Sequence, residues 1–292
     1  MNTFPIKMKN KAKRAFTLIE IMVATVIMVV LVGLVIQITS EVLKVWTRSS
    51  GKLAANAEAR IAMDMITQDL ETAVFRNNGQ QWLRVDAPLP GGGDYSGQTV
   101  GLKLFSPALD RPKDIAGDIC AIGYRLSYKQ SYANGPSVYA LYRRIVDPKD
   151  TFDFYMGSSS GTTSSPQESL TSGALWGDAL ITENENYLVS NIVEFKVLIY
   201  ELDATTNPAT ADLVNADADG ELDEDYAYGG AVEPNVMSTN QLLYADIILT
   251  VVSDTGLEML DNIDKLPEDA DEVVALHGET FVRRVNFMAH PL

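Results

Sequence analysis

The residue pattern with the clearest chemical potential is an acidic loop at 215–223. Alternate positions of this loop carry oxygen donors, namely Asn215, Asp217 and Asp219. Gly220 follows where the chain must turn sharply, and Asp223 occupies the ninth position. Alternating donors direct several oxygens at one centre, and a hard cation offsets the repulsion between their charges. The loop therefore predicts a Ca²⁺ site.

The loop differs from an EF-hand, because Tyr226 stands at the twelfth position, where a bidentate glutamate is usual, and no flanking helix is evident. A further carboxylate, either Asp225 or a remote one, is needed to complete the coordination. The predicted ligands are Asn215, Asp217, Asp219, Glu221, Asp223 and Asp225. The alternative interpretation is a solvated acidic turn between two strands.

A second chemically notable residue is Glu20, which is the only ionisable side chain in the apolar run Phe16–Ile38. As a helix this run is about 34 Å long, which is enough to cross the hydrocarbon core of a bilayer. Five cations and no carboxylate precede it, namely Lys7, Lys9, Lys11, Lys13 and Arg14, so we expect its start to face the cytoplasm. A buried charge in such a segment is costly, so Glu20 either reaches the interface or serves to pair with a cation.

The segment Arg14-Ala-Phe-Thr-Leu-Ile-Glu20 resembles the class III signal of type IV prepilins and type II secretion pseudopilins. The resemblance implies that a membrane prepilin peptidase cleaves between Ala15 and Phe16 and that the new amino group of Phe16 is methylated. It also implies that Glu20 meets the N-terminal amine of a neighbouring subunit during assembly. Ala15 stands where the family usually has glycine, another small residue.

The apolar run is expected to remain on the mature protein. It ends in Gln37-Ile-Thr-Ser-Glu41, without the small-x-small site at which ordinary secretory signals are cut. We therefore predict a cleaved leader at 1–15, a transmembrane helix at 16–38, an amphipathic continuation at 39–76 and a β-rich domain at 77–292. The protein would be a single-pass protein of the bacterial inner membrane, with its N-terminus cytoplasmic and its C-terminal domain periplasmic.

Composition restricts the possible functions. The formal charge is −16, and loss of the five leader cations makes it −21, which argues against binding nucleic acid through a basic surface. The single cysteine, Cys120, lies in an apolar run and is expected to be a buried small hydrophobe. His277 and His290 lack metal-ligand spacing with a second histidine, and the one Gly-x-Ser-x-Gly match, at 157–161, falls in a Gly/Ser/Thr-rich stretch predicted to be a loop and not between a strand and a helix. We therefore expect no enzymatic activity.

Apolar residues at spacings of three and four predict that one helix continues to about Arg76, with Ala59, Ala62, Met63, Ile66, Leu70, Ala73 and Val74 on its buried side. Strands are then predicted at 100–105, 119–128, 137–146, 187–202, 241–253 and 281–288, with turns at 134–136 and 254–256. The acidic run 267–272 is predicted to be a solvated linker. The expected fold is α+β, with the long helix packed against an antiparallel sheet.

A second resemblance concerns the predicted strands. Ile122-Gly-Tyr-Arg-Leu126 followed by Leu141-Tyr-Arg-Arg144 resembles the Y-x-L and L-x-R pairing of J-type minor pseudopilins and related minor pilins. It implies a structural subunit that assembles with other pilin or pseudopilin subunits. The alternative from another functional class is a membrane-tethered envelope binding module whose domain is stabilised by Ca²⁺.

Overall fold

A computed structural model describes residues 17–75, 81–89, 99–108, 110–111, 114–130, 135, 137–157, 170, 173–206, 208–217, 221–222, 225–229, 240–262 and 269–287. The chain divides into two compact units, Met1–Ser49 and Ser50–Leu292. The first helix, α1 (Leu18–Glu71), contributes its N-terminal half to the first unit and its C-terminal half to the second.

Helix α1 ends five residues before the predicted boundary at 76. Its last turn tightens, because Ala73 N donates to Leu70 O at 3.2 Å. The backbone then leaves the helix, since Val74 N donates to Phe105 O at 2.8 Å instead of bonding within α1. A hydrogen bond to a neighbouring strand, which the local pattern does not encode, therefore sets the helix end.

Ten strands form one sheet within the described residues. They are β1 (Leu83–Leu89), β2 (Thr99–Ser106), β3 (Cys120–Gln130), β4 (Ser137–Val146), β5 (Tyr187–Ser190), β6 (Ile192–Asp203), β7 (Thr210–Leu213), β8 (Tyr226–Tyr228), β9 (Leu242–Val252) and β10 (Gly278–Asn286). The order is β10-β9-β6-β2-β3-β4-β5, with β8-β1 beside β2 and β7 beside β6. All pairs are antiparallel except one parallel contact between β2 and β6. The α+β prediction is confirmed.

The predicted strand at 187–202 is divided at Asn191, which has a φ of 63°. Asparagine tolerates this left-handed conformation better than most residues do. Asn191 N donates to Tyr139 O on β4, whereas Asn191 O accepts from Val252 N at the end of β9. The bend thus lets one stretch of chain pair first with β4 as β5 and then with β9 as β6.

The C-terminal half of α1 packs its small and apolar side chains onto one face of the sheet. Ala59, Ala62 and Ile66 are fully buried, and the predicted stripe is confirmed by the burial of Met63, Leu70 and Ala73. Alanine at the contact lets the helix axis approach the sheet closely, so that large strand residues fill the remaining space. This packing forms the centre of the core of the second unit.

Short helical segments between β4 and β5 contact the other face of the sheet. They are α2 (Pro148–Thr151), a π-helical turn (Phe152–Gly157), α3 (Gly173–Trp176), α4 (Asp178–Ile181) and a 3-10 turn (Asn184–Asn186). A Cβ built on Gly123 would lie 2.5 Å from Trp176 Cζ3, so the strand needs glycine where the indole lies against it. Sequence analysis missed these segments because each has too few residues to show a helical period.

Two further helices, α5 (Asp254–Leu260) and α6 (Ala270–His277), correct the sequence analysis. The predicted turn at 254–256 is the first turn of α5, because Ser253 Oγ caps it by accepting from Gly256 N at 3.4 Å. The acidic run 267–272 is not only a linker, since Asp271 and Glu272 lie in the first turn of α6. Carboxylates are favourable there because helix N-termini carry partial positive charge.

Candidate assembly site and the anchor of the helix

The N-terminus of α1 is closed by a capping box made of Thr17 and Glu20. The Glu20 carboxylate accepts hydrogen bonds from Thr17 N and Thr17 Oγ1, both at 2.9 Å. Thr17 Oγ1 in turn accepts from Glu20 N at 3.3 Å. This reciprocal arrangement gives hydrogen-bond acceptors to backbone N–H groups that have no partner within the first turn of a helix. The predicted assembly residue therefore has a local structural role within its own chain as well.

The described part of the first unit exposes apolar side chains along the helix from Leu18 onward. Among the described residues, α1 is the one helix that is long and apolar enough to cross a membrane. Thr25 and Thr39 donate their hydroxyls to the carbonyls of Met22 and Val35 at 2.8 and 2.7 Å. These bonds satisfy the hydroxyls within the helix, which suits an apolar environment without water.

In the second unit, α1 is joined to the sheet by a buried charged cluster that we call the anchor, made of Asp69, Tyr124, Arg143 and Asp110. Arg143 Nε and Nη2 donate to the two Asp69 carboxylate oxygens at 2.8 and 3.1 Å. The Tyr124 hydroxyl donates to Asp69 and accepts from Arg143 Nε at 2.9 Å. Arg143 also reaches the more exposed Asp110 at 2.6 Å. The anchor thus connects α1 with β3 and β4.

Burial makes this anchor energetically demanding. The Asp69 and Arg143 side chains are each about 6% exposed, so neither charge is well hydrated. The bidentate geometry replaces the lost water with charge-assisted hydrogen bonds. Burial, and then the Asp69 carboxylate, raise the pKa of Tyr124 well above its ordinary value, so the phenol remains a neutral donor. Removing either Asp69 or Arg143 would leave the other charge buried with less compensation.

Residues 10–36 match a family model described as the prokaryotic N-terminal methylation motif. The chain carries a type IV prepilin-like class III signal. This signal supports a type IV pilin-like or pseudopilin-like protein, and it includes Glu20 and the capping partner Thr17. Comparison with curated proteins gives no match to the chain, and comparison with solved structures gives none either.

The methylation motif confirms the first resemblance at the level of the signal. Ala15 and Phe16 lie within the matched range but outside the described residues, so cleavage between them stays a prediction. The J-type resemblance also stays a prediction. Two residues of its quoted motifs, Tyr124 and Arg143, are joined in the anchor, and they stand opposite one another in the β3–β4 register.

The structure gives two of the predicted calcium ligands other roles. The buried Asn215 carboxamide accepts from Ile199 N at 2.8 Å and donates to Val197 O at 2.7 Å, which extends the β6 ladder beyond the end of β7. Asp225 accepts from Arg84 Nη2 at 2.7 Å and from Ala87 N at 2.9 Å. Both side chains therefore already have partners that stabilise the fold.

The remaining predicted ligands are only partly described. Asp217 Oδ1 accepts from Glu221 N at 2.9 Å, and Ala216 pairs with Leu222, so the loop closes as a short antiparallel turn. Asp219 and Asp223 lie outside the described residues. The described part of the chain contains no group of three or more carboxylate, histidine or cysteine side chains placed to hold a metal ion. The calcium site stays a prediction.

Sequence analysis missed the anchor residue Asp69. The available signal was its position, because Asp69 lies between Ile66 and Leu70 on the side of α1 that is otherwise apolar. A carboxylate at a core-facing position requires a buried cation. A second missed cluster joins Arg84, Asp86 and Lys103 on the opposite face of the sheet, where Lys103 Nζ lies 2.7 Å from Asp86.

Loss of the Asp69 charge is expected to destabilise the protein strongly. We predict that Asp69→Asn lowers the free energy of unfolding by about 3 kcal/mol, because Arg143 stays buried with less compensation. Denaturant unfolding of the detergent-solubilised full chain measures the loss. The matched control is Asp64→Asn, whose exposed ion pair with Arg283 is worth about 1 kcal/mol or less. Equal effects of the two substitutions would contradict the anchor.

The calcium prediction has a direct test in calorimetry. If the loop binds Ca²⁺, titration of the solubilised chain releases or absorbs heat, and Asp217→Asn weakens the binding by removing a negative charge. Asp203→Asn is the control, because Asp203 accepts from Thr205 in a separate exposed turn. Absence of binding heat with Ca²⁺ in the millimolar range, or an equal effect of both variants, would contradict the site.

Proposed function

We propose that this protein is a structural subunit of a type IV pilus-like or type II secretion pseudopilus assembly and has no catalytic role. The observation that carries the proposal is the class III signal joined to a helix whose apolar side chains are exposed in the isolated chain. An exposed apolar surface of this extent needs lipid or partner helices to cover it. A pilin-like subunit uses both, first in the inner membrane and then in the filament.

The capping box suggests how Glu20 serves assembly. Before processing, its carboxylate is bound by the Thr17 amide and hydroxyl, which lowers the cost of placing a charge at the start of an apolar helix. After cleavage before Phe16 by prepilin peptidase, the adjacent amine supplies a cation. The amine of a neighbouring subunit then replaces part of the hydrogen bonding between Thr17 and Glu20. This amine pairs with the Glu20 carboxylate, and such pairing is strong in a low dielectric.

The finer assignment to the J-type minor subunits is supported by the paired motifs on β3 and β4. In this chain those motifs provide the Tyr124 and Arg143 side chains that hold α1 against the sheet. A minor subunit of this kind would have its C-terminal domain in the periplasm and would assemble with other pilin or pseudopilin subunits. The motif order and the anchor are the grounds for this part of the proposal.

Processing is the first property to test. Intact-mass analysis of membrane-extracted protein, from cells with and without a prepilin peptidase, is expected to give a chain starting at methylated Phe16 only when the peptidase is present. The same measurement on Phe16→Asp is the control for site specificity. A chain that starts at Met1 in both cells would contradict the proposal and favour a protein that is only tethered to the membrane.

Assembly is expected to depend on Glu20. We predict that Glu20→Ala inserts into the membrane and is cleaved but that its incorporation into filaments falls about tenfold or more, because the amine loses its partner. Sedimentation of sheared filaments followed by immunoblotting measures incorporation. Glu41→Ala is the matched control, since Glu41 is also an exposed carboxylate of α1 but lies beyond the apolar run. Normal incorporation of Glu20→Ala would refute the assigned role.

A further inference from the structure

The C-terminal half of α1 has an apolar outer surface that nothing in the second unit covers. Leu53 is 72% exposed and Ile61 is 55% exposed, and Ala57 lies between them on the same side of the helix. The inner side of this half is buried on the sheet, so its packing requirement is already met. We call the outer surface formed by Leu53, Ala57, Arg60 and Ile61 the outer stripe.

Charge distinguishes this part of the helix from most of the chain. Residues 42–60 contain four basic residues and one acidic residue, whereas residues 151–292 contain 26 acidic residues and four basic ones. Arg60 is exposed and Lys52 is half-buried, and neither forms an ion pair with another described residue. The outer stripe therefore combines apolar side chains with uncompensated positive charge in a strongly acidic protein.

A surface of opposite charge lies on helices α5 and α6. Its exposed carboxylates are Asp254, Glu258, Asp271 and Glu272, and Leu276, one helical turn after Glu272 on α6, is 48% exposed. None of these four carboxylates forms an ion pair with a described lysine or arginine. We call this the acidic helical surface. This surface combines an exposed apolar side chain with negative charge, whereas the outer stripe carries positive charge.

We propose that the outer stripe of one copy of this chain docks on the acidic helical surface of a second copy. Opposite charges meet across the contact, and Leu53 and Ile61 are removed from water beside Leu276. The two surfaces are different, so the contact is head-to-tail, and repetition of such a contact extends an assembly when the rotation does not close a ring. This interface rests on the proposed function and identifies a second copy as a partner.

Cysteine cross-linking in intact membranes tests the interface. Two differently tagged full-length copies are co-expressed with a prepilin peptidase, one carrying Ile61→Cys and the other Leu276→Cys, and are treated with a short bis-maleimide. The native Cys120 does not compete, because it is buried and burial raises the pKa of its thiol to about 11. We expect a cross-linked product that carries both tags.

Charge reversal supplies the controls. Arg60→Glu in the Ile61→Cys copy is expected to lower the yield about tenfold, and Glu258→Arg with Glu272→Arg in the other copy is expected to restore it. Pairing Ile61→Cys with Val282→Cys, which is 65% exposed on β10, should give no product. A two-tag product whose yield does not change with Arg60→Glu overturns the proposal. Absence of the product also overturns it, and this is the result expected if Arg60 instead contacts anionic lipid headgroups.

The N-terminal mass of the chain in the same samples distinguishes failure of the interface from failure of the proposed function. A processed chain without the two-tag product overturns the interface and leaves the proposed function standing. A two-tag product from an unprocessed chain supports the interface and refutes the pilin-like pathway. An unprocessed chain without the product refutes both.

Discussion

The bidentate pairing of Arg143 with Asp69 is the interaction on which the second unit depends. It joins α1 to β3 and β4 inside a core that is mainly apolar, and Tyr124 completes it from the neighbouring strand. The buried stripe of α1 holds the helix by close packing, and the charge pair adds a directional constraint to it. A buried charge pair disfavours other registers, because a shift of α1 would separate Asp69 from Arg143 and leave a buried charge with less compensation. The anchor therefore selects the position of the helix.

The two halves of α1 meet different physical requirements with one continuous backbone. The N-terminal half exposes apolar side chains and bonds its threonine hydroxyls to its own carbonyls, an arrangement that suits a segment able to cross a membrane. The C-terminal half restricts large apolar residues mainly to one side and buries that side on the sheet. A helix satisfies its backbone hydrogen bonds internally in both environments, so no break is needed between them.

Acidic residues in this chain serve several distinct purposes. Asp69 anchors a helix, Asp225 binds Arg84 of β1, and Asp271 lies at a helix N-terminus. In the loop first noted for its calcium-like spacing, Asn215 extends the hydrogen-bonding pattern of β6. A spacing rule gives the type and order of side chains, but it carries no information on which backbone groups nearby still need partners.

Local sequence patterns were sufficient for the membrane-competent helix, its buried stripe, the main strands β2, β3, β4, β6 and β9, and the class III signal, since each depends on residues close together in the chain. Tertiary structure alone decided that α1 ends at Glu71 and that Asn191 redirects a strand. It also decided that Asp69 pairs with Arg143, 74 residues away. These features depend on partners brought together only by folding, and the free energy of burying a charge or an amide is set by those partners.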